Sequence, residues 1–223
     1  MSLQTIIDNA QYITVDRREL TGSSMSRSGQ YKTADRNVNV YSFTMGMHNG
    51  LKYSTNRAVL EDLYSATSTT NEANISLNNN TDMNYLTAYQ GDLTSGQQAE
   101  ISVNGVTGKE IYIDQTGITG DVSGYTHILK KGDFIQPKGN TDTYRYPYQV
   151  TSDVAFNIAD SNTTVSVHRP VLSQTGVALT SGGVKLGNDV TWRVKITSLP
   201  TYSVVPYDRI EFSETFNLIE VIT

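Results

Sequence analysis

The chain has 223 residues, a formal net charge of −5, no cysteine, and only 17% charged residues. The lack of cysteine excludes disulfides, thiolate nucleophiles and Cys-ligated metal sites. No basic cluster exceeds a pair (Arg17-Arg18, Lys130-Lys131), which disfavours a general nucleic-acid binder.

β-Branched and aromatic residues recur among plentiful Asn, Thr, Ser and Gly, the profile of many short strands and many turns rather than of a disordered chain. The opening stretch MSLQTIIDNAQYITV has no basic start and no apolar run of signal-peptide length, so synthesis in the cytosol is the expectation. Residues 19–37 (ELTGSSMSRSGQYKTADRN) are polar and aperiodic and read as a loop. The next segment, STNRAVLEDLYSA, is the one competitor for helix: Val59, Leu60, Leu63 and Tyr64 share a face, Thr55 or Asn56 can cap it, and Glu61-Asp62 face solvent. A second loop is expected over 67–84, and QGDLTSGQQAE promises no more than a turn.

Residues 99–114 read as a hairpin, with Ile101 and Val103 on one strand, Ile111 and Ile113 on the other, and Asn104-Gly105 as the tight turn. A third loop, QTGITGDVSGY, covers 115–125. Loops this long in a compact domain are usually functional or become ordered against a partner. In HILKKGDFIQ two short apolar pieces flank Gly132-Asp133, which reads as a hairpin corner: Gly132 supplies positive φ and Asp133 accepts nearby backbone N–H groups. NTTVSVHRP sets Val165 and Val167 on one side and stops at Pro170. VTWRVKI alternates Val190, Trp192, Val194 and Ile196 against Thr191, Arg193 and Lys195, and RIEFSETFNLIEVI ends as one bent strand or two short ones.

Candidates for chemistry are few. His48, His127 and His168 are scattered, so a hydrogen-bonded or exposed imidazole outweighs a metal site. Asp208, Glu211 and Glu214 lack the dense spacing of a calcium loop. No nucleophile elbow, phosphate-binding glycine loop or His-Glu-x-x-His occurs. The sequons at Asn74, Asn79 and Asn162 would matter only in a secreted protein. Fourteen tyrosines stand against one tryptophan, and TYRYPYQV puts Tyr144, Tyr146 and Tyr148 on one face of an extended segment. Such a stripe fits stacking on sugars or bases, a protein–protein anchor, or a half-buried sheet face. No catalytic residue, cofactor or metal is expected.

LKKGDFIQ, YRYPYQVTSDV and TTVSVHRPV together resemble a pattern of tail and baseplate structural proteins of tailed bacteriophages, notably marine and cyanobacterial ones. The C-terminal WRVKITSLPTYSVVPYDRIEFSETFNLIEVI is similar to the end of such proteins, and the likeness covers about residues 127–223. The resemblance implies an all-β, mainly antiparallel chain with one short α-helix. It implies a tail-tube-like β-sandwich or barrel over 1–120 and 173–223, with a small β-barrel inserted at 121–172. It further implies a ring homo-oligomer, commonly a hexamer, that joins tail tube to baseplate or forms the tube-proximal hub ring of the baseplate, and that contacts other tail proteins in the virion. Genome DNA would pass through an acidic lumen without specific binding. Arg27 and Tyr31 in the first loop, Asn78 in the second, and the Tyr144/Tyr146/Tyr148 stripe are the expected interface residues. A carbohydrate- or receptor-binding module using that stripe and Trp192 is the competing reading, and a β-fold hydrolase a third.

Overall fold

The computed structural model describes residues 3–25, 31–47, 51–65, 72–139, 144, 146–173, 178–179 and 182–222. In chain order the elements are α1 (Leu3–Asp8), β1 (Ala10–Met25), β2 (Tyr31–Met47), α2 (Tyr53–Ser65), β3 (Glu72–Ile75), α3 (Ser95–Gln98), β4 (Ser102–Thr107), β5 (Glu110–Asp114), β6 (His127–Leu129), β7 (Phe134–Pro137), β8 (Tyr148–Gln149), β9 (Val154–Ala155), β10 (Thr163–Ser166), β11 (Val184–Leu186), β12 (Trp192–Ser198), β13 (Tyr202–Val205), β14 (Arg209–Phe212) and β15 (Phe216–Glu220). The protein is all-β, with antiparallel pairing of β1 with β2, β2 with β15, β15 with β12, β4 with β5, β5 with β10, β8 with β7, β7 with β11, β6 with β9 and β13 with β14.

The chain forms two compact units, one from residues 1–75 and 193–222, the other from 76–192. The expected insertion at 121–172 lies wholly inside the second unit, whose bounds are wider. Pairing explains the width: β10 adds to β5, so the β4–β5 hairpin belongs with the inserted segment, and β11 adds to β7.

The first unit is built on a five-stranded sheet of order β1-β2-β15-β12-β3. Its core gathers Phe43, Met45, Val194, Phe216 and Leu218, with Val59, Leu60 and Leu63 of α2 also buried. Each such aliphatic side chain contributes roughly 1.5–3 kcal/mol on full burial. The expected helix is present as α2, but neither Thr55 nor Asn56 caps it. The helix starts at Tyr53, two to three residues earlier, and Asp208 caps it from the β13–β14 hairpin: Ser54 N–H donates to Asp208 Oδ1 at 2.8 Å. Two further helices are short. α3 carries a capping box in which Thr94 and Gln97 bond reciprocally, a signal legible in TSGQ.

The second unit holds two three-stranded sheets, β10-β5-β4 and β11-β7-β8, and the β6–β9 pair. These sheets do not close into the expected barrel. Among the described residues their edges meet only at single bridges, Ser102 to Gly183 and Val150 to Val167. β8 begins right after Pro147, whose nitrogen donates nothing, so its short ladder with β7 does not extend there, whereas β7 pairs through Pro137 with Val184 of β11. The β4–β5 turn also differs from expectation. It falls at Gly108-Lys109, with Gly108 at φ 56°, while Asn104-Gly105 lies at a bulge inside β4.

Candidate assembly surface

The Gly132-Asp133 corner is structural, but it is not the expected hairpin: it links strands of two different sheets, β6 pairing with β9 and β7 with β8 and β11. Gly132 sits at φ 102°, and Asp133, 1% exposed, spans the turn as an acceptor. Its Oδ2 accepts Lys130 N–H at 2.9 Å and its Oδ1 accepts Gln90 N–H at 2.9 Å. Burial pushes its carboxyl up from the ordinary range, and those backbone donors pull it partly back. The carboxylate is thus spent on tying the 90s segment to the corner.

The tyrosine stripe is not a surface. Tyr144, Tyr146 and Tyr148 are each at most 1% exposed, so they offer no face to a sugar or to a neighbouring subunit. The tyrosines form a buried cluster with Arg169. The Tyr144 and Tyr148 hydroxyls lie 2.7 Å apart, Tyr144 donates to the Leu172 carbonyl, and Leu172 N–H donates to the Tyr148 hydroxyl at 2.8 Å. The Arg169 guanidinium donates to the Pro147 carbonyl at 3.1 Å and lies 5.2 Å from the Tyr148 ring centre, in cation–π range. Burial, then the neighbouring Tyr148, drives the Tyr144 hydroxyl far above its usual pKa. Trp192, the other proposed sugar platform, is 1% exposed and meets Phe134 edge-on at 5.5 Å. Alternation along TYRYPYQV was legible; which side of it met the core was not.

The remaining expectations scatter. His127 Nδ1 lies 2.8 Å from the Thr126 hydroxyl, and His168 Nδ1 accepts Gln149 N–H at 3.0 Å. Asp208 serves the α2 cap, while Glu211 and Glu214 are exposed. Among the described residues no three His, Cys, Asp or Glu side chains come together as a metal site, and no helix is long and apolar enough to cross a membrane. His48 and Arg27 lie outside the described residues. Tyr31 opens β2 in the first unit, and Asn78 is exposed in the second.

Both of the first two expected loops hold strands: β3 (Glu72–Ile75) lies within 67–84, and the first loop departs furthest from expectation. Residues 19–25 and 31–37 are not loop but the outer halves of β1 and β2, strands of 16 and 17 residues paired through Met25 and Tyr31. The ladder from β15 reaches only Ser42–Met45 of β2. Outward of Arg18 and its partner Val40 the hairpin therefore runs on as a two-stranded ribbon, about 25 Å long at about 3.3 Å per residue. Its sequence is polar, ELTGSSM on one strand and YKTADRN on the other, which is why it shows no strand periodicity. Backbone pairing rather than side-chain alternation defines it.

No protein-family model matches this chain, and no curated protein matches it.

Proposed function

We propose that this chain is a structural component of a bacteriophage tail that assembles with copies of itself into a ring, joining the tail tube to the baseplate. The β1–β2 ribbon carries this reading. A two-stranded hairpin is marginally stable in water by itself, and this one has a polar sequence with which to build any hydrophobic face. Its strand edges carry the N–H and C=O rows that strand addition uses. Docking against a neighbouring subunit would complete the ladder and offset the entropy of holding the arm out. The motifs at 127–223 supply the tail assignment, and a hexamer is the ring they imply.

In that setting the net charge of −5 has a use, since an acidic lumen lets DNA slide without sticking. Burial of Tyr144, Tyr146, Tyr148 and Trp192 takes away the platform on which the sugar-binding alternative stood. The tail assignment is tested by mass spectrometry of purified tails from the source phage. It expects this chain at a stoichiometry fixed relative to the tube protein, and its absence from the particles would refute the assignment.

A further inference from the structure

We propose that the outer face of the β10-β5-β4 sheet, through Glu110, Tyr112 and Asp114, is the seat on which the basic β1–β2 ribbon of a second copy of this chain docks. This rests on the assembly reading above and names the surface that the ribbon meets.

β5 is the middle strand of that sheet. Its alternation buries Ile111 and Ile113 and leaves Glu110, Tyr112 and Asp114 half-exposed on the other face. Small residues flank this row: Gly105 and Thr164 pair with Tyr112, Thr107 and Ser166 with Glu110. The Tyr112 ring leans over Gly105, 3.7 Å from where a Cβ would stand, and its hydroxyl donates to Glu110 Oε2 at 2.6 Å. β4, β5 and β10 contain no Lys or Arg. Carboxylates on either side of an aromatic ring suit a guanidinium or an ammonium, which anion and π face both attract.

The ribbon gathers such cations. Residues 17–39 hold five Lys/Arg and two Asp/Glu, a surplus of three positive charges in a chain of net charge −5. The other residues are left with −8, which supplies the anion within the assembly and repels duplex DNA. The seat lies in the opposite kind of stretch, since residues 76–126 hold six Asp/Glu and one Lys. Charge separated in this way steers two copies together and orients them before contact.

Spacing matches as well. Glu110 and Asp114 are four residues apart, about 13 Å along a strand, and so are Lys32 and Arg36 on the ribbon. Between those cations Ala34 pairs with Gly22, a small pair that leaves room for the Tyr112 ring. Ribbon and seat are different surfaces, so the contact is head-to-tail, the kind that closes rings.

The test is sedimentation equilibrium over a dilution series of the full chain, a ribbon-reversed chain (Lys32→Glu with Arg36→Glu), a seat-reversed chain (Glu110→Lys with Asp114→Lys), and a 1:1 mixture of the two. Each reversal should weaken self-association at least about tenfold. The mixture should recover most of it, because acidic ribbons then find basic seats and basic ribbons find acidic ones. Glu110→Gln with Asp114→Asn keeps hydrogen-bonding groups at both positions; it should weaken association too, and it stands in if the reversed seat does not fold. If the full chain associates and the reversed ribbon or the neutralised seat matches it, or a folded mixture stays as weak as its parts, this contact is overturned while assembly stands. A ribbon reversal that abolishes binding to a duplex DNA probe and leaves self-association unchanged overturns it in favour of nucleic acid. A full chain that stays monomeric throughout overturns the assembly reading and this contact with it.

Discussion

Asp208 caps helix α2 from outside the helix: its Oδ1 accepts the Ser54 N–H at 2.8 Å, and its Oδ2 accepts the Ser54 hydroxyl. These bonds hold its carboxyl below the usual range, the Ser54 hydroxyl contributing most. The helix start and the β13–β14 turn are one cooperative feature. Asp208→Ala should lower the thermal midpoint and fray α2, seen as faster amide exchange at Ser54, while Asp208→Asn, which keeps one acceptor, should fall between.

The buried tyrosine cluster predicts stability losses rather than binding losses. Tyr144→Phe removes the hydroxyl that links Tyr148 to the Leu172 carbonyl and should cost about 1–3 kcal/mol in urea unfolding. Tyr148→Ala, which also takes the ring from beneath Arg169, should cost about 3–5 kcal/mol. Were the stripe a surface anchor, both changes would leave unfolding nearly unaltered.

At the Gly132 corner, Asp133→Ala leaves the Lys130 and Gln90 N–H groups without their acceptor. Both bonds are part-buried, so a cost of about 1 kcal/mol per lost bond follows. Asp133→Asn should not rescue it fully, because the amide turns a donor toward one of the two N–H groups. Chemical denaturation of the two variants side by side measures both.

Acid should loosen the second unit through Asp92. Its carboxylate accepts Thr126 N–H at 2.7 Å and His127 N–H at 2.8 Å, which lowers its pKa to about 2, Thr126 contributing most. A carboxyl depressed in the folded state stabilises above its unfolded pKa, near 3.8, and that stability goes as pH falls toward about 2. Thermal midpoints of the parent should drop across that window, and Asp92→Asn should show a shallower drop.

Much of this fold could be read from side-chain pattern. Val190, Trp192 and Val194 alternate inward as expected, and Val59, Leu60 and Leu63 mark the buried face of α2. Period two shows that Tyr144, Tyr146 and Tyr148 share a side, yet interior and interface make the same demand on tyrosine. Only the hydroxyl network with Leu172 and Arg169 decides between them. The outer β1–β2 ribbon was invisible for the opposite reason. Strands without a hydrophobic face leave no alternation to detect, and their pairing lives in backbone hydrogen bonds that every residue can make. The Asn104-Gly105 pair misled because a bulge and a tight turn favour the same residues.

The β1–β2 ribbon as the element that joins subunits is tested most directly by mass photometry of the full chain beside one in which residues 20–38 are replaced by Asn-Gly. That graft keeps the Glu19–Asn39 pair and closes the hairpin near its sheet-supported base. The full chain should populate ring-sized multiples of its mass, and the shortened chain should be monomeric with an unchanged thermal midpoint. Equal assembly by the two chains, or a full chain that is monomeric at every concentration, would contradict it.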